Sequence, residues 1–180
     1  RELFINQKLL PIFMLRLMLD TNIYSFIAED KNVKEIVVKI KDDKDLKVYG
    51  YKLIKEEIKN IPKNRKFQNH KYRTLLINLY NDLIKEQYNE SPNITKLTEL
   101  YYEEFKKLGG KRSFNDLRID FEIVACATIH NLDVIASDDE KTLKGNISLQ
   151  AYKNVNIRNK LRIPSFYNFV DLKKAIGLSL

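Results

Sequence analysis

The chain has 180 residues, 44% hydrophobic and 11% aromatic, which is enough for one domain with a buried core and too apolar for a disordered tail. Lys and Arg number 32 against 24 Asp and Glu; the net charge of +8 and pI near 9.4 suit a polyanionic partner or a lysine-rich solvated surface. The five glycines form neither GxxxxGK[ST] nor GxGxxG, which excludes a P-loop and a dinucleotide fingerprint, and the single Cys126 excludes a disulfide framework or thiolate cluster.

In chain order, the apolar run Leu9–Leu19 is too short to span a bilayer and is broken by Pro11 and Arg16. It lacks a small-residue cleavage site, so the expectation is a cytoplasmic protein with no membrane partner. Met14 is a candidate start, which makes residues 1–13 a candidate N-terminal extension to a single domain over 14–180. Leu15–Leu19 reads as a buried strand that stops at Asp20-Thr21-Asn22, where Thr21 or Asn22 can cap a helix. A helix is expected over Val33–Ile40, a turn at Asp42–Asp45, a strand over Leu46–Tyr51 and a helix from Leu53. Residues 61–70 read as a loop, and Lys71–Leu108 as two long helices broken at Asn89–Pro92 and ended by Gly109-Gly110.

Ser113 with Asp116 three residues on resembles a capping box, opening a helix to about His130. Val134–Ala136 is an apolar strand ended by Ser137-Asp138-Asp139; one or two short strands are expected in Ile147–Ile157, and a last helix over Phe166–Ile176. Alternating strands and helices predict a three-layer α/β/α sandwich with a central parallel sheet and an extra helical segment near 62–112.

Such sheets bind ligands at the carboxyl ends of their strands, and here two strands end directly in acids, at Asp20 and at Asp138-Asp139. Glu57 shares a helical stripe with Leu53, Ile54, Ile58 and Ile61, an inward position where a carboxylate needs a cation or a donor. Asp116, Asp120, Ile123 and Ala127 fall on one stripe of the later helix. Asp116 is equally well explained as a helix cap, whereas Asp120 lies one turn deeper. Carboxylates converging from these segments would repel one another unless protonated or bridged by a divalent cation. Oxygen ligands without His or Cys favour Mg²⁺ or Mn²⁺, which suits phosphodiester hydrolysis beside a basic surface. His70 and His130 have no metal-ligand spacing, and Cys126 is a core residue. Lys63, Arg65, Lys66, Lys71 and Arg73, with His70, form a basic cluster that could track phosphates or simply be a solvated loop.

Met18-Leu19-Asp20-Thr21-Asn22-Ile23 resembles the opening signature of PIN-domain nucleases, with Asn22 beside the first acid. Asp120–Ala127 is similar to that family's aspartate-bearing helix, Val134–Asp139 to its strand ending in Thr/Ser-x-Asp, and Glu57-Ile58 occupies the place of its glutamate. The four elements occur in the family's order. The resemblance implies a central parallel sheet and a Mg²⁺- or Mn²⁺-dependent endoribonuclease acting on RNA. Many members are VapC-type toxins, homodimers restrained by a small antitoxin protein; housekeeping RNA processing, or a non-cleaving binding module, are alternatives. By the resemblance, Asp20, Glu57, Asp120 and Asp139 are the catalytic quartet. Asp20, Asp120 and Asp139, with Asp116 as a further candidate, are the metal ligands, and Asn22, Ser137 and Asp138 support them. Glu57 would hold the metal through water or orient the attacking nucleophile.

Overall fold

The computed structural model describes residues 14–178, so the candidate extension 1–13 lies outside the described residues. Strand β1 (Leu15–Leu19) is followed at once by α1 (Thr21–Glu29), whose N-cap is Asp20, and then by α2 (Val33–Asp42). Strand β2 (Leu46–Tyr51) leads into α3 (Lys52–Asn60). The expected loop that follows holds a short hairpin, β3 (Lys66–Phe67) and β4 (His70–Lys71), before α4 (Tyr72–Leu83).

The two expected long helices are separated by strand β5 (Ile84–Tyr88), then α5 (Pro92–Lys107), so the segment near 62–112 is helical with an edge strand inside it. Gly109 ends that segment with φ of +89°, a left-handed turn that glycine adopts without strain. Next come α6 (Phe114–Ile129) and β6 (Val134–Ala136). The short strands expected in Ile147–Ile157 are instead α7 (Asn146–Arg158). The last expected helix is divided into β7 (Ser165–Tyr167) and α8 (Phe169–Ala175).

The sheet is five-stranded in the order β5-β2-β1-β6-β7, and each neighbouring pair is parallel. Leu17, Met18 and Leu19 of β1 and all of β6 are buried although successive side chains point to opposite faces, so both faces are covered. Helices α1, α2, α3 and α4 pack on one another, and α5 packs on α6 and α7, completing the three-layer α/β fold. Among the described residues no helix is long and apolar enough to cross a membrane.

The register of the central pair positions the site. Leu19 of β1 lies opposite Ala136 of β6, and the Asp20 amide donates to the Ala136 carbonyl at 2.9 Å. The next residues, Asp20 and Ser137, therefore leave the sheet side by side at its carboxyl edge.

Candidate active site

Asp20 is buried, and its carboxylate is held from three directions. It accepts from the Ser137 hydroxyl at 2.7 Å, the Asn22 side-chain amide at 2.6 Å and the Thr21 backbone amide at 2.7 Å. Burial still dominates and raises its pKa, and Asp139 adds like-charge repulsion. Asn22 also ties the first signature to the third strand, because its side-chain oxygen accepts from the Asp138 amide at 3.1 Å.

Glu57 lies on α3 and is half-buried, as its stripe predicts. Its Oε2 accepts from the Thr21 hydroxyl at 2.6 Å, and burial, with Asp20 nearby, raises its pKa. Asp120, on the second turn of α6, is pushed up to about 7, first by burial and then by the charges of Asp20, Asp139 and Glu57, against a hydrogen bond from Thr142. Asp120 is thus within electrostatic reach of the other three acids assigned to the catalytic quartet.

Asp139 differs from the other three. Burial raises its pKa, but the Thr142 hydroxyl and the amides of Thr142 and Lys141, the latter two at 2.8 Å, outweigh this and hold its carboxyl below the ordinary value. Thr142 acts on both Asp120 and Asp139. In the sequence Thr21 reads only as a candidate helix cap, a place that Asp20 takes, and Thr142 is not singled out. For Thr21 a signal existed, its place inside Asp20-Thr21-Asn22; for Thr142 none did.

Two predicted participants lie elsewhere. Asp116, a candidate metal ligand, is exposed and completes the capping box of α6. It accepts from the Ser113 hydroxyl at 2.7 Å and from the Ser113 amide at 3.2 Å, contacts that lower its pKa. It is absent from the charges that act on Asp120, so one helical turn separates a cap from a cluster member. Asp138 turns to the start of α8, accepting from the Phe169 amide at 3.1 Å.

The basic cluster is also divided. The Arg65 guanidinium lies over the Tyr72 ring at 4.3 Å and Arg73 donates to the Lys59 carbonyl at 2.8 Å, while Lys63, Lys66 and Lys71 are exposed on and beside the hairpin.

The chain superimposes on the structure of VapBC2 from Rickettsia felis, bound to a DNA fragment from their promoter, with a TM-score of 0.50 and 12% identity over 86% of this chain and 98% of that one. The fold is PIN-like. No protein-family model and no curated protein matches the sequence. The shared architecture therefore rests on topology, with a parallel sheet whose carboxyl edge carries the acids.

Three observations bear on whether a divalent cation fits this PIN-like edge. The donors are oxygens, the type that Mg²⁺ and Mn²⁺ take. Of the quartet, Asp20, Glu57 and Asp120 all have raised pKa values, as expected of buried like charges without a counter-ion. Among the described residues, the buried side-chain polar atoms without a partner are Tyr24 Oη and Tyr152 Oη. Both feel the acids: burial raises their pKa values, and Asp20 adds to this at Tyr24, as do Asp120 and Asp139 at Tyr152. The carboxylates are not drawn into a finished cage, since among the described residues no three His, Cys, Asp or Glu stand ready to hold an ion. The residues fit the group in donor chemistry and charge.

Proposed function

We propose that this chain is a metal-dependent endoribonuclease, the toxin of a VapBC-type toxin–antitoxin pair. The observation that carries the reading is Asp120, raised to about 7 by burial and by Asp20, Asp139 and Glu57. A helix residue from the middle of the chain comes within electrostatic reach of acids from three other segments at the ligand-binding edge of a parallel sheet. Buried acids with raised pKa values in such a place mark a candidate functional site.

In this reading Asp20, Asp120 and Asp139 hold Mg²⁺ or Mn²⁺. The ion would make water a better nucleophile and offset charge on the phosphoryl group. Glu57, held by Thr21, would orient the attacking water, and its raised pKa suits it to accept a proton. Ser137 and Asn22 lock the Asp20 carboxylate in one orientation, and the Thr142 hydroxyl holds Asp139. Cleavage would leave a 5′-phosphate and a 3′-hydroxyl.

The VapBC2 likeness supports a small antitoxin as partner, and a homodimer is the form that goes with this reading. The intact acids speak against a module that binds without cutting. The decisive experiment incubates the protein with mixed cellular RNA and Mn²⁺, with and without EDTA, beside the Asp20→Asn variant. Cleavage that needs the ion and disappears in the variant is expected, as is growth arrest on expression that the same substitution relieves. Cleavage that persists in Asp20→Asn, or in EDTA, would sink the assignment.

A further inference from the structure

Beside the acids lies a cavity of about 510 Å³, between the turn that joins α5 to α6 and the start of α7. Its rim carries Lys111, Arg112 and Lys141, all exposed, and among the described residues none of the three has an ion-pair partner. Its one lining acid, Glu140, is already paired with Lys144. Its apolar lining includes the buried Phe105 and Leu117 and the exposed Ile147.

Two further features give the cavity direction. The 13-residue helix α7 begins at its wall, and the N-cap there is Gly145, which supplies no side chain to the first-turn amides. Those amides leave a positive helix end facing the same space as the three cations. The cavity also shares its wall with the acidic cluster. Lys141, on the rim, donates its amide to Asp139, and the Arg112 charge helps to hold Asp139 ionised.

We infer that this cavity is a nucleotide subsite for single-stranded RNA, one step along the strand from the acids. The inference rests on the nuclease reading for its substrate. Lys111, Arg112 and Lys141 hold the phosphates, while the exposed Ile147 meets a base turned out of the strand. A positively charged groove that tracks the backbone is the electrostatic part of single-strand binding. The volume falls within the range of pockets that enclose one small organic ligand, and a base paired in a duplex could not enter it. The subsite thereby selects for unpaired RNA before any bond is cut.

The test is binding of a fluorescent oligouridylate by anisotropy in EDTA, across a series of salt concentrations. The variants are the triple substitution Lys111→Ala, Arg112→Ala, Lys141→Ala, and a control triple at the exposed lysines Lys34, Lys41 and Lys44. Each lost phosphate contact on a single strand lowers the slope of log affinity against log salt by about 0.7, so the pocket triple should lose about 2 in slope. Its affinity should fall at least tenfold, and the control should change neither slope nor affinity by a comparable amount. A duplex of the same length should be insensitive to the pocket triple. The subsite is refuted if the pocket triple binds like the unsubstituted chain, if the control loses as much, or if duplex binding falls equally. Binding is read without metal, so absence of cleavage would count against the nuclease reading alone.

Discussion

The Ser137 hydroxyl donates to Asp20 Oδ2 at 2.7 Å across the β1–β6 pair, inside a buried environment. The bond joins residues 117 positions apart, and it follows from the parallel register that sets Leu19 beside Ala136. Ser137→Ala leaves Asp20 with one donor fewer, and an unmet buried acceptor costs about 1–3 kcal/mol. Urea unfolding at pH 7.5 should show a loss of that size. The lost bond lowered the Asp20 pKa, so the acid limb of any RNA-cleavage pH profile should move to higher pH. An unchanged midpoint and profile would mean that the contact does not tune Asp20.

Asp116 and Asp120, one turn apart, should separate cleanly on substitution. Asp120→Asn should lower metal-dependent RNA cleavage by a factor of about a hundred or more, the scale on which electrostatic groups in active sites act. Asp116→Asn should leave cleavage within a few-fold while weakening the capping box, read as a slightly lower thermal midpoint. Parallel assays of cleavage and thermal unfolding decide between them, and the reverse pattern would place the third acid at Asp116.

The raised pKa of Asp120 has a definite sign for stability. Its folded value of about 7 lies above its ordinary 3.8, so the native chain keeps this proton where the unfolded chain has lost it. The contribution of Asp120 is therefore most favourable below pH 4, declines between about pH 4 and 7, and stays low above 7. Thermal unfolding from pH 4 to 8 in EDTA should show this decline, and Asp120→Asn should remove its share. A midpoint difference between the two proteins that does not change with pH would contradict it.

Divalent metal should reverse that decline. An ion that binds only the native chain at a hundred times its Kd stabilises it by about 2.7 kcal/mol. Protons compete for the same carboxylates, so the gain with Mn²⁺ should be larger at pH 8 than at pH 5. In Asp20→Asn it should largely vanish. Equal gains in both proteins would place any bound ion away from Asp20.

Gly50 offers a test of the sheet that carries the site. A Cβ at this position would collide with the hydroxyl end of Tyr80, which itself donates to the Tyr51 carbonyl at 3.2 Å. Gly50→Ala should therefore cost about 1–3 kcal/mol through overpacking, read as a lower urea midpoint. A midpoint equal to that of the unsubstituted chain would show that Tyr80 gives way freely.

Much of this architecture can be read along the chain. The strands Leu15–Leu19, Leu46–Tyr51 and Val134–Ala136 announce themselves as short apolar runs ended by polar residues, because a strand covered on both faces needs apolar side chains throughout. The Ser113–Asp116 box and the acids at 20, 57, 120 and 139 are equally visible, since caps and inward carboxylates depend on local spacing.

Other elements are settled only when distant segments meet. Strand β5, Ile-Lys-Glu-Gln-Tyr, has no strand-like alternation and exists through backbone pairing with β2. In α7 the buried residues Ser148, Ala151, Tyr152, Val155 and Asn156 follow helical spacing, but polar Ser148 and Asn156 mask the stripe. Asn156 is welcome in the core because Tyr101 donates to it at 2.7 Å, a partner 55 residues away.

The cluster itself obeys the same division. Residue order supplies the acids, whereas their pKa values come from mutual approach and burial, which no local pattern encodes. Thr21 and Thr142 are ordinary hydroxyls in sequence and become site residues only because the fold sets each against a carboxylate. Hydrophobic periodicity is written into neighbouring residues; electrostatic and hydrogen-bond partners are chosen by the tertiary structure.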